Sequence, residues 1–164
     1  MTEITREPSR FGIAVAGGFA LLSAAATALV STTGGAVAGV GVVVLLAGLA
    51  VASRRLLTNG GAVLLLGVLY AGYTGAPALP LLVGALLGVL AWDAGSNAVS
   101  VGEQLGKEAP TMRAEAVHAT SSFLVGTLAV VVGYTVYVAA AGAQPMAVVF
   151  LLVIGAVALV NALR

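Results

Sequence analysis

Residues 34–55 read GGAVAGVGVVVLLAGLAVASRR, in which nineteen uncharged residues are followed by one serine and two arginines. A helix needs about 20 mostly apolar residues to cross the roughly 30 Å hydrocarbon core of a bilayer, and this run is long enough. Arg54 and Arg55 mark its end because a guanidinium is costly inside lipid. The stretch therefore predicts a transmembrane helix whose carboxyl end lies on the basic side of the membrane.

The composition of the whole chain agrees with this prediction. Of its 164 residues, 60% are hydrophobic and 8% are charged, and the mean hydropathy is +1.12. A soluble protein of this size needs more polar surface, which excludes an ordinary cytosolic enzyme. With a net charge of +1, the chain lacks the strongly basic surface that nucleic-acid binding requires. Because it contains no cysteine, disulfides and thiolate chemistry are excluded as well. The expected partner is the lipid bilayer.

Five further apolar runs have the length of a span, so we expect an all-α, polytopic membrane protein with six transmembrane helices. Pro77 and Pro80 suit the first turn of the fourth span, where a missing N–H costs least. The small residues near 24–28 also resemble a signal-peptide cleavage site, but the preceding tail has no net positive charge, which favours a retained first helix. The predicted spans are 11–30, 34–52, 56–75, 77–96, 119–141 and 146–163.

Basic residues predict the orientation. With six spans, all seven fall on one side, and the three connections on the other side contain no charge. Because basic loops stay cytoplasmic, both termini are predicted to be cytoplasmic in a multi-pass protein of the cell membrane. The basic residues are Arg6, Arg10, Arg54, Arg55, Lys107, Arg113 and Arg164.

A polar stretch of about residues 97–118 is predicted to be an amphipathic cytoplasmic segment between the fourth and fifth spans. Residues 92–120 contain four of the six acids and the only histidine. The segment is either a solvated linker, because charge runs usually mark exposed faces, or a docking surface for a membrane or cytoplasmic protein. The candidate functional or docking residues are Asp93, Asn97, Glu103, Gln104, Glu115 and His118.

Asp93 has a distinctive predicted depth. It follows shortly after a fourth span that begins at Pro77, which places its carboxylate near the inner membrane edge, with Asn97 one turn further on. An acid inside the membrane indicates function, whereas an interfacial acid merely reaches headgroup water. Both readings stay open.

Motifs for catalysis and metal binding are missing from the sequence. Glu115-x-x-His118 occurs once, whereas a di-iron bundle needs two such motifs and two further carboxylates. There is no Gly-x-Ser-x-Gly, His-Glu-x-x-His or Walker loop. We therefore expect no catalytic residue, no cofactor and no metal, and a protein that is not an enzyme.

Small residues predict close helix packing, because lipid provides no hydrophobic drive for helices to associate. They form a ladder in the first span, and shorter pairs occur in the second and fourth. The helix that packs against these residues belongs either to the same chain or to a second copy of it in a homo-oligomer. The ladder is Gly12, Ala16, Ala20, Ala24 and Ala28, and the pairs are Gly35-x-x-x-Gly39 and Gly84-x-x-x-Gly88.

The run AWDAGSNAV at 91–99, followed by GEQLG at 102–106, resembles an uncharacterised family of small multi-pass membrane proteins from halophilic archaea. The likeness continues through residues 110–118 to Gln144 and Pro145, over roughly the C-terminal half of the chain. The resemblance implies no known activity.

Two functions are consistent with these features. The first is a non-enzymatic scaffold or subunit of a membrane complex, which docks its partner through the cytoplasmic face around residues 93–118. The second is a small oligomeric transporter or channel that uses Asp93 and Asn97 at the inner membrane edge. The absence of charge in the middle of the spans counts against the second.

Overall fold

A computed structural model describes residues 7–106 and 109–140, and in these residues the protein is helical without strands. All five helices are long and apolar enough to cross a membrane. The predicted sixth span, 146–163, lies outside the described residues. The helices are α1 (Arg10–Ala28), α2 (Thr32–Ala50), α3 (Arg54–Tyr73), α4 (Ala78–Leu105) and α5 (Met112–Ala140).

A serine cap begins each of the first three helices. The hydroxyls of Ser9, Ser31 and Ser53 each accept a hydrogen bond from the backbone N–H three residues further along the chain. A serine at this position satisfies one of the N–H groups that have no partner inside the helix. α2 and α3 therefore begin two residues before the apolar runs that predicted them, and α1 begins one residue before.

The contact between α2 and α3 has glycine on both helices. The buried positions alternate in steps of three and four residues, the spacing of a seven-residue repeat in which one seam of each helix faces the other. A Cβ on Gly41 would lie 2.6 Å from the backbone N of Leu64, and one on Gly60 would lie 2.5 Å from the N of Leu45. Backbone therefore packs directly against backbone. The seam contains Gly34, Ala38, Gly41, Leu45 and Gly48 of α2, and Leu57, Gly60, Leu64, Gly67 and Ala71 of α3.

The predicted pair Gly35-x-x-x-Gly39 contributes less to helix packing. A Cβ on Gly35 would meet the backbone of Ala28, so this glycine does allow close approach between α1 and α2. Gly39, however, has open space where a Cβ would be. The seam between α2 and α3 uses glycines seven residues apart, not four.

α1 packs against α4 through the first part of the predicted ladder. Gly12, Ala16 and Ala20 are buried, but Ala24 is half-buried and Ala28 is exposed. Each four-residue step turns about 40° further around a helix of 3.6 residues per turn, so a longer ladder leaves the contact face. The buried positions continue instead through Ser23 and Thr27.

Polar groups in this second contact are paired. The Ser23 hydroxyl donates to the carbonyl oxygen of Gly84 at 2.8 Å, and the Thr27 hydroxyl donates to the Ser23 carbonyl at 2.8 Å. Gly84 and Gly88 allow this approach, since a Cβ on either would meet the hydroxyl oxygen of Thr27 or of Ser23. The predicted pair Gly84-x-x-x-Gly88 therefore lies in a helix contact.

The predicted cytoplasmic segment 97–118 is not a separate element. Residues 97–105 continue α4, whose 28 residues are about 42 Å long, and residues 112–118 form the first turns of α5. The helix ends at Gly106, which has a φ of 80°, and Pro110 lies two residues before α5. A hydropathy profile predicts the end of a span at the first polar residues. The helix itself continues for as long as its backbone hydrogen bonds do, here until a glycine stops it.

The chain divides into two compact units, one up to Val130 and one from Val131. In the first unit, the rings of Phe19 and Phe123 stack with centroids 6.5 Å apart and join α1 to α5. In the second unit, the rings of Tyr134 and Tyr137 stack at 6.2 Å.

Candidate functional site

Polar side chains of the first unit gather at the end of the bundle where α1, α3 and α5 begin and α4 ends. We call this region the polar end. Two of its contacts join elements distant in sequence, Ser9 with Glu115 and Arg54 with Glu103. The polar end consists of residues 9–12, 54–58, 93–105 and 111–122.

Glu115 is buried, with 3% of the residue exposed. The Thr111 hydroxyl donates to its Oε1 at 2.6 Å, and the Ser9 hydroxyl donates to its Oε2 at 2.6 Å. Ser9 also accepts from the N–H of Gly12 at 2.9 Å, so one serine both caps α1 and holds the carboxylate. Because a buried carboxylate without donors costs several kcal/mol, these two hydroxyls make the position possible.

Gly12 explains how the carboxylate comes so close to α1. A Cβ at this position would lie 2.5 Å from Oε2 of Glu115 and 2.5 Å from the Cβ of Ala98. The absence of a side chain at Gly12 therefore lets α1, α4 and the start of α5 meet. Glu115 joins these elements and has no exposed face for a partner.

Asp93 joins α4 to α5. Its Oδ2 accepts a hydrogen bond from the Ser122 hydroxyl at 2.7 Å and lies 3.0 Å from Nε2 of His118. Nε2 is buried and has no hydrogen bond to the described residues, so its contact with Asp93 is a close approach without hydrogen-bond geometry. Both side chains are about one-third exposed. The structure thus brings together two of the predicted residues.

This arrangement differs from that of a nucleophilic serine. In a Ser-His-Asp triad the imidazole lies between the carboxylate and the serine and takes the serine's proton. Here Ser122 and His118 both contact the same oxygen of Asp93. The Ser122 hydroxyl donates a hydrogen bond to the carboxylate, and this bond joins α5 to α4.

Asn97 lies one turn beyond Asp93 and lines a small pocket between α1, α4 and α5. Phe11, Glu115 and His118 contribute to its wall, and its volume of about 10 Å³ is close to that needed for one water molecule. No group of three or more His, Cys, Asp or Glu side chains suited to a metal ion occurs in residues 7–106 and 109–140.

Glu103 and Gln104 lie apart from this cluster, at the exposed end of α4. Glu103 is about 15 Å along the helix from Asp93. Its Oε2 accepts from Nη2 of Arg54 at 2.7 Å, and the same nitrogen donates to the Ser100 hydroxyl at 2.9 Å. This ion pair joins α3 to α4, whereas the side chain of Gln104 is exposed.

Sequence reasoning missed the hydroxyl partners Ser9, Thr111 and Ser122. Ser122 could have been found from its spacing, because it follows His118 by four residues and so shares its helix face. Thr111 precedes Glu115 by the same interval. Ser9 gave the weaker signal of a helix cap, and its contact with Glu115 spans 106 residues.

No curated protein and no solved structure matches this chain. A family model does match residues 6–160, which include the polar end and all five helices. This match confirms the predicted resemblance to an uncharacterised family. The predicted source, a halophilic archaeon, stays a prediction. The chain belongs to DUF7519, a family of unknown function.

Proposed function

We propose that this protein is a non-enzymatic scaffold, or a subunit of a membrane complex, in the cell membrane. Its cytoplasmic end, residues 93–118, docks a membrane or cytoplasmic protein. The observation that carries this proposal is the uneven distribution of side chains. Small residues fill the contacts between α1 and α4 and between α2 and α3, whereas the described charged groups gather at the polar end.

The junction of α4 and α5 exposes a mixed surface that suits a protein partner. Leu105, the last residue of α4, is 60% exposed, and Met112, the first of α5, is 65% exposed; Glu103 and Gln104 in the last turn of α4 are exposed as well. Protein interfaces combine an apolar, methionine-containing centre with a polar rim. A surface that faces lipid would instead be apolar throughout.

The opposite end of the described bundle offers little to a soluble partner. The connection between α1 and α2 has three residues, and that between α3 and α4 has four. Neither contains a charged residue. Loops of this length hold no domain of their own, which supports docking at the polar end.

Site-specific cross-linking tests the proposal, because the chain contains no cysteine and needs no background mutation. A photoreactive maleimide is attached in native membranes to Gln104→Cys or, as a matched control, to Thr33→Cys at the start of α2. We expect one reproducible heteromeric adduct from position 104 and none from position 33. Adding Leu105→Glu and Met112→Glu should abolish the adduct. Equal adducts from both positions, or monomer alone, would contradict docking at this end.

A second candidate function is a small oligomeric transporter or channel. It would use Asp93 and Asn97, which lie one turn apart on α4 at the inner membrane edge, and its support is the contact of the Asp93 carboxylate with His118. Ion flux into liposomes, compared between the wild type and Asp93→Asn, tests it. Transport through this pair predicts flux that the substitution lowers at least tenfold. Equal leak from both proteins and from empty vesicles excludes it.

A further inference from the structure

A surface groove of about 210 Å³ runs between α3 and α4, and one of its ends is Thr58, at the polar end. It exists because both helices present very small residues there, Gly61 and Ala62 on α3 and Gly88 on α4. Leu65, Val89 and Trp92 form the rest of its apolar wall, with Thr58 at one end. Such a lining suits a hydrocarbon chain and offers few partners to a polar solute.

The polar atoms at the end of this groove are paired with each other. Nε1 of Trp92 donates to the Thr58 hydroxyl at 3.4 Å, and that hydroxyl donates to the carbonyl oxygen of Arg54 at 3.0 Å. Trp92 is 42% exposed, so part of its side chain remains accessible. Tryptophan prefers the level of the headgroups, which places this end of the groove at the membrane–water interface.

Arg55 lies on the stripe of α3 that lines the groove. It precedes Thr58 by three residues and Ala62 by seven, and these intervals return to the same face of a helix. The neighbouring Arg54 is neutralised by Glu103 at 2.7 Å. Arg55 is exposed and has no ion pair within the described part of the chain. Arg55 therefore carries an exposed positive charge on this stripe, about one helical turn beyond Thr58.

We propose that this groove binds one anionic phospholipid, with a hydrocarbon chain along α3 and α4 and the phosphate on Arg55. The depths agree, because residues 58–65 lie about 5–15 Å deeper than Arg55 along the helix, where the chain of a lipid follows its headgroup. A guanidinium binds phosphate oxygens through two parallel N–H groups. The charge selects the headgroup, and the small residues make room for the chain.

Trp92 provides the measurement, because it is the only tryptophan in the chain and forms the wall of the groove. The purified protein is reconstituted in phosphatidylcholine vesicles with increasing fractions of chain-brominated phosphatidylglycerol, and bromine quenches a ring in contact with it. The reciprocal series uses brominated phosphatidylcholine. We expect about fivefold preference for the anionic lipid, the effect of one arginine near a membrane surface. Quenching that follows mole fraction equally in both series would overturn the proposal.

Two charge variants separate the site from general attraction to the membrane. Arg55→Gln should abolish the preference for the anionic lipid, so that the ratio of quenching by the two lipids falls from about five to about one. Arg10→Gln removes the same charge from an exposed position on α1 and should leave the fivefold preference unchanged. An equal loss in both variants would show that only net charge attracts the lipid, which contradicts a site at Arg55.

Filling the groove with a larger side chain tests whether the hydrocarbon chain of the lipid lies there. Ala62→Phe places a ring where the hydrocarbon lies and should remove the excess quenching by the anionic lipid. Ala47→Phe adds the same ring to an exposed position of α2 and should have no effect. Unchanged quenching in a folded Ala62→Phe protein would overturn the proposal. If this variant does not fold, the wild-type and Arg55 comparisons still decide the question.

Discussion

Single hydroxyl groups connect the helices at the polar end of the molecule. Ser9, Thr111 and Ser122 each donate to a carboxylate, and two of these bonds join different helices. Inside a membrane such a bond contributes about 0.6 kcal/mol on average, but a buried acceptor that loses its donor costs about 1–3 kcal/mol. The loss of one oxygen atom at these positions is therefore measurable.

We expect Ser9→Ala to destabilise the protein more than Ser31→Ala. Both substitutions remove a helix cap, at a typical cost of about 1 kcal/mol, but only Ser9 also donates to the buried Glu115. The additional loss should be about 1–3 kcal/mol in the free energy of unfolding, measured in mixed micelles. Equal losses would show that the Glu115 contact contributes nothing to stability.

The contact between Asp93 and Ser122 predicts an energetic coupling. A double-mutant cycle with Asp93→Ala and Ser122→Ala should give about 0.6–1.7 kcal/mol, the range of hydrogen bonds between transmembrane helices. The control pairs Asp93→Ala with Thr120→Ala, because Thr120 is an exposed residue of α5, the helix that contains Ser122. Their effects on the free energy of unfolding should be additive. A cycle that closes to zero for Ser122 would contradict the contact.

At the level of the helices, α2 and α3 have a seam in which glycine replaces interlocking side chains. The N and O atoms of one backbone lie where a methyl group of the other would have to be. Helices in lipid gain stability from such close approach through van der Waals contact. The seam therefore depends on the position of each glycine and not on glycine content.

Gly41→Ala and Gly39→Ala test this dependence in the same helix. A Cβ on Gly41 would lie 2.6 Å from the Leu64 nitrogen, so we expect a loss of about 1–3 kcal/mol in unfolding free energy. Gly39 has open space, and alanine there should be neutral or stabilise by up to about 1 kcal/mol. Similar effects at both positions would contradict the seam.

At the level of the whole molecule, the sequence predicted the all-helical membrane fold but not the details of packing. Hydropathy located five helices within a few residues, except that α4 and α5 extend into the polar stretch. That extension was not predictable from hydropathy, because polar residues there pair with α1 and α3. In a chain with 22 glycines, four-residue spacings arise by chance, and they obscured the seven-residue repeat.

The candidate site was predictable in part for a physical reason. Asp93, Asn97, Glu115 and His118 stand out as rare polar residues in an apolar chain, and the structure brings them to one place. The hydroxyl partners of Glu115 and Asp93 are serines and a threonine, which are common in membrane helices and do not stand out by rarity. Long-range pairing between α1 and α5 also depends on the fold and leaves no local pattern.

The orientation of the whole bundle stays a prediction that thiol labelling can check. With the basic side in the cytoplasm, a membrane-impermeant maleimide should label Thr33→Cys on intact cells and Gln104→Cys only after permeabilisation. The chain has no native cysteine to interfere. The opposite pattern would place the polar end outside the cell.

The glycines between α2 and α3 also restrict how far the two helices can slide. A shift by one turn would bring leucine side chains onto positions now occupied by glycine, and the next matching register is seven residues away, about 10.5 Å. A slide of that length would stretch the three residues 51–53 that connect the helices, and in one direction it would draw Arg54 into hydrocarbon. The two helices therefore keep one alignment, which sets the height of Arg54 and Arg55 relative to the apolar residues of α2.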